Sequence, residues 1–552
     1  MNIHNVADYL LDRLAEIGIR HIFGLPGDFN LSFLDHVINH PIIEWVGCAN
    51  ELNAAYAADG YARVMPAAAL LTACGAAELS AINGIAGSYA EYIPIIHIIG
   101  MPTLHSQKER ELLHHSLGDG DFRHFAHMAK EVTCAQSSLT AENAVAEIDR
   151  LLVAALYQQR PVYLQLPCDV ADAQIKSSSG TLAFVQPLFS PLSLQAFIET
   201  AHEKLQSARK IALLADFLAD RFGGREALNR WLPEANIPYS TLLMGKGLLD
   251  ESHPMFIGTY MGAASELSVK ECIEEADTLI TVGVCFSDLT TAGFSQNIQQ
   301  DKCIDIQPQQ VWIGKTVFNQ LPMAMAVDAL HQLCNSLKDQ WQPTAITCPY
   351  LTRHEHSVLD QNTFWYHIQH FLRPEDIVVT EVGTSCFGAA SLNLPAECTF
   401  IVQIHWASLG FSLPAAYGAQ LAQPQRRVIL LIGDGGAQLS IQELGSMLRD
   451  GLKPIIFLLN NQGYTIERVI HGPQQRYNDI PIWDWATLPK VLGKDKSLLT
   501  RCVTNEHQLQ QVLTELENCG QLAFIEVILP KMDIPKLLIN VAKSIEDRNK
   551  AT

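Results

Sequence analysis

A chain of 552 residues is longer than one hydrophobic core can organise, and implies about three domains. Its formal charge of −20 argues against nucleic acid, whose binding depends on cationic contacts to phosphate. The longest apolar runs, such as residues 93–99, fall far short of the roughly 20 residues that span a bilayer, so no membrane partner is expected.

Residues 1–20 carry Val6, Leu10, Leu11, Leu14 and Ile17 at helical spacing among acids and bases, unlike a secretory signal. The 13 cysteines are odd in number and lack Cys-x-x-Cys spacing, which suits reduced thiols and predicts a cytoplasmic location. Next, Gly24-Leu25-Pro26-Gly27-Asp28 reads as a turn, with Asp28 available either to form it or to react. Asn50-Glu51-Leu52-Asn53 opens an Ala-rich helix running to Arg63, with Glu51 in the first turn where a carboxylate suits the helix dipole. Residues 95–99 and 162–166 read as buried strands, and between them the 113–120 loop carries the adjacent pair His114-His115. Lys176-Ser177-Ser178-Ser179-Gly180 reads as a linker. Strands at 211–215 and 279–284 mark a second block, and 338–350, with Pro343 and Pro349, reads as a second linker. Alternating strands and helices predict an α/β chain whose sheets are mainly parallel with helices on both faces.

The third block carries the most informative segment. A strand over 428–432 (VILLI) delivers Gly433-Asp434-Gly435-Gly436, a helix is expected over 439–449, and a strand over 454–459 ends in Asn460-Asn461-Gln462-Gly463. Glycines let backbone amides approach an anion, and a helix N-terminus adds a favourable dipole. The Asp434 carboxylate, the Asn461 amide oxygen and the Gly463 carbonyl form a donor set for a hard octahedral cation. Mg²⁺ fits this set; zinc would ask for Cys or His.

The spacing of 27 residues from Asp434 to Asn461, with Gly-Asp-Gly at one end and Asn-Asn at the other, resembles the diphosphate motif of thiamine diphosphate (ThDP) enzymes. The run 48–63, CANELNAAYAADGYAR, is similar to the corresponding segment of ThDP-dependent 2-keto acid decarboxylases, in the subgroup of pyruvate, indolepyruvate and branched-chain 2-keto acid decarboxylases. The resemblance extends along the chain through the GLPGD loop, the His114-His115 loop and Gly463-Tyr464-Thr465-Ile466-Glu467-Arg468.

That resemblance implies three doubly wound α/β domains with mainly parallel sheets: a pyrimidine-binding domain at 1–176, a central domain at 188–338, and a diphosphate-binding domain with a C-terminal helix at 355–552. It further implies that the first and third share a topology. Glu51 is then the partner of the cofactor pyrimidine, promoting release of the C2 proton of the thiazolium, and Asp28, His114, His115 and Glu467 are the acids and bases of the reaction centre. Taken one at a time, Asp28 could equally be a turn former, the histidines a solvated pair, and Glu467 half of a surface pair with Arg468.

Cofactor contacts are implied at Glu51, Thr384, Ala407, Leu409, Asp434, Gly435, Gly436, Asn461, Gly463 and Ile466, with Asp434, Asn461 and Gly463 holding Mg²⁺. The Trp406-Ala407-Ser408-Leu409-Gly410 segment departs from the family pattern, with Ala407 for a glycine and Leu409 for an isoleucine. A methyl at 407 is tolerable at negative φ and costs about 1 kcal/mol or more at positive φ. The implied substrate pocket is Cys386, Phe387, Ile466, Ile470, Val541 and Ile545. The last two lie on a helical face with Leu537 and Leu538 that core packing would explain equally well.

The expected reaction is non-oxidative decarboxylation of a 2-keto acid to an aldehyde, with medium to large aliphatic or aromatic acids preferred because Cys386 is small and because residues 118–120 and 471–480 resemble the bacterial indolepyruvate and broad-range group. Ile466, larger than the valine of indolepyruvate-type relatives, points instead to pyruvate. A carboligase and a non-catalytic ThDP-binding paralogue are the other readings. The family pattern also implies a homodimer as the smallest active unit and a homotetramer as the assembly.

Overall fold

Short runs of Val, Ile and Leu form the strands, because a strand covered on both faces has no polar side with which to alternate. The computed structural model describes residues 2–177, 180–341, 351, 358–494 and 496–551, and its strands build three sheets and one antiparallel pair. The first sheet holds six parallel strands in the spatial order Glu44–Gly47, His21–Gly24, Ala68–Ala73, Ile95–Met101, Val162–Pro167 and Ala135–Ser138. The third, also six parallel strands, runs Thr399–Ile401, Ile377–Thr380, Val428–Gly433, Ile455–Asn460, Leu522–Ile528 and Leu498–Val503.

Numbered by chain position within each sheet, both orders are 2-1-3-4-6-5, so the first and third units share one topology. The order reverses between strands 1 and 3, which opens a crevice beyond their carboxyl ends, the place where open α/β sheets bind ligands. In the first sheet those ends are Gly24 and Ala73; in the third they are Thr380 and Gly433. The Asp28 loop, the Glu381–Thr384 turn and the Gly433–Gly436 turn therefore all leave strands at a switch point.

The second sheet has seven strands. Phe256–Thr259, Tyr239–Thr241, Ile211–Ala215, Thr278–Val282 and Cys303–Gln307 run parallel, and Gln310–Ile313 and Thr316–Asn319 extend it antiparallel. The strand expected to reach residue 284 stops at Val282, because Gly283 turns left-handed at φ 61°.

Three further expectations are corrected. Lys176 and Ser177 are not linker: Gln174–Ser177 pairs antiparallel with Asn2–Asn5 and closes the first unit. In the 338–350 stretch, Lys338–Gln340 form a 3₁₀ turn and the buried Trp341 donates its indole N–H to the Ala208 carbonyl at 3.2 Å, while 342–350 lie outside the described residues. The single helix expected over 439–449 is two, Asp434–Ser440 and Glu443–Arg449. Between them the ladder tightens to i→i−3 bonds, Leu444 N–H to Ile441 at 3.0 Å and Gly445 N–H to Gln442 at 3.1 Å.

The Ala-rich helix Glu51–Ala62 packs across Ser412–Ala422, joining the first unit to the third. Small residues permit the close crossing: a Cβ on Gly60 would stand 2.2 Å from the Ala415 carbonyl oxygen, and one on Gly418 1.8 Å from that of Ala57. Among the described residues no helix is long and apolar enough to cross a membrane.

Candidate active site

At the first switch point, Asn30 does the work that the sequence offered to Asp28. Buried, it accepts the Gly27 N–H at 2.9 Å and donates to the Leu25 carbonyl at 3.1 Å, closing the GLPGD loop. Asp28 is left exposed, and its carboxylate meets His114 Nε2 at 3.0 Å. The Phe29 ring stacks on His114 with centroids 5.1 Å apart, and the His114 and His115 rings lie 4.7 Å apart. One ligand-type atom from each of Asp28, His114 and His115 lies within 4.8 Å of the others, so the three form one cluster.

The backbone beneath that cluster is crowded. His115 adopts φ 59°, and its carbonyl oxygen lies 1.9 Å from where a Cβ on Gly75 would stand, so only glycine fits at 75. Glu78 fixes this glycine by accepting its N–H at 2.7 Å, and also takes the Tyr163 hydroxyl at 2.6 Å. Burial pushes the Glu78 carboxyl up to about 7.

Glu51, half-buried, is the first residue of its helix. Asn50 caps that helix by accepting the Asn53 N–H at 2.8 Å, and Ala49 donates its N–H at 3.1 Å to the fully buried Glu443 of the third unit.

At the third sheet's switch point the two ends of the 434–461 motif meet. Asp434, 2% exposed, accepts the Gly435 N–H at 2.9 Å and the Gly463 N–H at 3.0 Å. Burial raises its carboxyl to about 6, a cost that a bound cation would reverse. Asn461, also buried, follows the end of the neighbouring strand Ile455–Asn460, and Gly463 stands at φ 119°. Room for a ligand exists around these turns: a Cβ on Gly433 or Gly383 would meet nothing within 4 Å. An acidic oxygen, an amide oxygen and open space at glycine amides fit a cation carrying a diphosphate.

Arg468 was open to reading as the surface partner of Glu467. Instead it is buried and donates to the carbonyls of Asn461 at 3.3 Å, Gln462 at 2.5 Å and Asn478 at 3.1 Å, building the loop that presents Asn461 and Gly463. Five guanidinium donors suit a loop with several inward carbonyls. Glu467 lies exposed on the helix Thr465–His471.

Thr384 is buried at the start of the helix Thr384–Ala389. Ala407 takes φ 54°, so the unfavourable case of a methyl in left-handed backbone applies. Its neighbours hold the segment: the Trp406 indole donates to Asn83 at 2.8 Å and Ser408 Oγ bonds the Tyr56 hydroxyl at 2.6 Å. Leu409 is 38% exposed in the single chain.

Cys386, Phe387 and Val541 are buried in one apolar cluster, with Ile466 and Ile545 packed on its edge; Ile470 is half-buried. The helices Thr384–Ala389, Thr465–His471 and Lys536–Ala551 bring these residues together. Among the described residues no hydrogen bond or ion pair joins Asp28, Glu51, His114 or His115 to Asp434, Asn461, Gly463 or Glu467 of the same chain. Sequence reading missed Asn30, Glu78, Glu381 and Glu443; only the Asn two positions past Pro-Gly-Asp carried a local signal, that of a turn.

The family profiles described as "Thiamine pyrophosphate enzyme" match in three parts: the N-terminal TPP binding domain over residues 4–127, the central domain over 198–333 and the C-terminal TPP binding domain over 381–527. An alpha-keto-acid decarboxylase of Mycobacterium ulcerans (strain Agy99) is 43% identical over 548 residues, covering 98% of this chain and 96% of the relative. Those of Mycobacterium tuberculosis (strain ATCC 25618 / H37Rv) and Mycobacterium leprae (strain TN) are 44% identical over 542 residues and 43% over 551, covering 97% and 99% of this chain and 96% and 97% of the relatives. The switch-point loops, the three matched domains and identity along nearly the whole length agree: the chain belongs to the thiamine pyrophosphate enzymes, and among them to the ThDP-dependent 2-keto acid decarboxylases.

Proposed function

We propose that this decarboxylase prefers medium to large aliphatic or aromatic 2-keto acids, uses Mg²⁺ held by Asp434, Asn461 and Gly463, and acts in the cytoplasm as a homotetramer whose smallest active unit is a homodimer. We assign its units to a pyrimidine-binding domain at 1–176, a central domain at 188–338 and a diphosphate-binding domain at 355–552. The observation that carries the site assignment is the anchoring of Asp434 by the Gly463 amide at 3.0 Å, which joins the two halves of the 434–461 motif.

Bound ThDP supplies an electron sink for the carbanion formed as CO₂ leaves. The protein's own groups then have distinct tasks. Gly436 and Thr384 offer donors to the diphosphate, and Gly435, whose own N–H is held by Asp434, lets the turn approach it closely. Glu51 holds a proton at the pyrimidine. Asp28 and His114, paired at 3.0 Å, and His115, set edge-to-face against His114, move protons between substrate carbon, oxygen and water. Glu467 faces the substrate carboxylate. Ala407, Leu409 and Ile466 hold the rings in place.

Substrate preference rests on Cys386, a small side chain buried among Phe387, Val541 and the edge residues Ile466 and Ile545. The test is aldehyde release, coupled to alcohol dehydrogenase, from pyruvate, 2-ketoisovalerate, 2-ketoisocaproate, phenylpyruvate and indolepyruvate with ThDP and Mg²⁺. Higher kcat/KM for the larger acids supports the proposal. A sharp preference for pyruvate would assign control to Ile466, and acyloin in place of aldehyde would mark a carboligase.

A further inference from the structure

The turn after strand Ile377–Thr380, the segment around Gly410 and the turn at Gly436 come from three separate stretches of chain, and all three meet one buried side chain. Glu381 is 2% exposed. Its Oε2 accepts the Ser412 hydroxyl at 2.7 Å and the Ser412 N–H at 3.3 Å, which fixes the entry to the helix Ser412–Ala422 directly after Gly410. Its Cγ and Cδ lie 2.9 and 3.2 Å from where a Cβ on Gly436 would stand, so the side chain fills the space behind the GDGG turn. Its own carbonyl accepts the Ser385 hydroxyl at 2.9 Å, tying it to the helix that begins at Thr384, and its N–H reaches the Leu431 carbonyl at 3.0 Å on the strand leading to Asp434.

A carboxyl withdrawn from water is costly, and an apolar side chain would fill the same space more cheaply. Its presence here is explained if the spacing of the three segments matters more than the stability of any one of them. We propose that Glu381 is a positioning residue for ThDP, setting the relative placement of the Thr384 turn, the Gly410 segment and the Gly436 turn through its carboxyl and backbone. The inference rests on the assignment of those segments to the cofactor.

The test measures ThDP affinity in the presence of Mg²⁺ by titration calorimetry, together with the thermal midpoint and amide hydrogen exchange of the cofactor-free protein, for the parent, Glu381→Ala, Glu381→Gln and Ser412→Ala. An amide oxygen can still accept both Ser412 bonds, so Glu381→Gln should stay within about threefold of the parent. Glu381→Ala should bind ThDP on the order of tenfold more weakly or worse, with faster exchange at 408–412 and 434–437. Ser412→Ala should fall between the two. Parental affinity in a folded Glu381→Ala overturns the inference, as does equal weakening in the Gln and Ala variants. If Glu381→Ala does not fold, parental affinity in Ser412→Ala overturns it. A parent that takes up no ThDP overturns the cofactor assignment itself, which separates the two failures.

Discussion

Ala407 holds φ 54° in a position where an L side chain costs about 1–2 kcal/mol. Ala407→Gly removes that cost and loses about 0.5–1 kcal/mol to the freer unfolded chain, so the variant should gain up to about 1.5 kcal/mol. A urea midpoint below that of the parent would show the backbone to be unstrained. Glu78 makes a second prediction. Its carboxyl is raised to about 7 by burial, so the folded state keeps a proton that the unfolded state releases near its ordinary value. The favourable contribution is complete below about pH 4.5 and is lost as pH rises through 7. Glu78→Gln cannot ionise, and its Oε1 can still accept the Gly75 N–H. Its thermal midpoint relative to the parent should therefore climb between pH 5 and pH 8, by the equivalent of up to ~3 kcal/mol. A pH-independent difference would mean that Glu78 is not held protonated.

Between elements, the closest approach is the crossing of Glu51–Ala62 and Ser412–Ala422, where glycine and alanine let backbones touch. A Cβ on Gly418 would lie 1.8 Å from a carbonyl oxygen that cannot rotate away. Gly418→Ala should cost about 3 kcal/mol or more, the upper end of overpacking, and should weaken the union of the first and third units. Gly520, where a Cβ would meet nothing within 4 Å, is the control: Gly520→Ala should stay within about 0.5 kcal/mol. Equal denaturation midpoints for the two variants would overturn this view of the crossing. The composition of the helix is thus explained by its neighbour rather than by helix propensity, since its alanines are buried and face a second helix.

At the scale of the molecule, among the described residues no hydrogen bond or ion pair joins the Asp28 cluster to the Asp434 turn within one chain, and the proposed dimer, in which a second copy completes each site, can be tested directly. Subunits carrying Glu51→Gln and subunits carrying Asp434→Ala should each be nearly inactive. A hybrid dimer would then hold one doubly damaged site and one intact site. Co-refolding or co-expressing the two should recover about a quarter of parental activity if subunits assort at random. No recovery, with mixed dimers demonstrated by differential tagging, would place both residues in a site within one chain.

Local sequence was sufficient for the strands at 95–99, 162–166, 211–215, 428–432 and 454–459, because short aliphatic runs bounded by turn residues have few other solutions, and for the turns after Gly24 and Gly433. It also carried the 434–461 motif, since a carboxylate and an amide at the ends of adjacent parallel strands must come together wherever that sheet forms. Tertiary structure decided the rest. Whether Arg468 paired with Glu467 or turned inward depended on three carbonyls contributed by a folded loop. The positive φ at Ala407 lies between Trp406 and Ser408, whose side chains are held by Asn83 and Tyr56, far away in the chain. Glu381 showed no local pattern because its role lies in joining segments that only the fold makes neighbours.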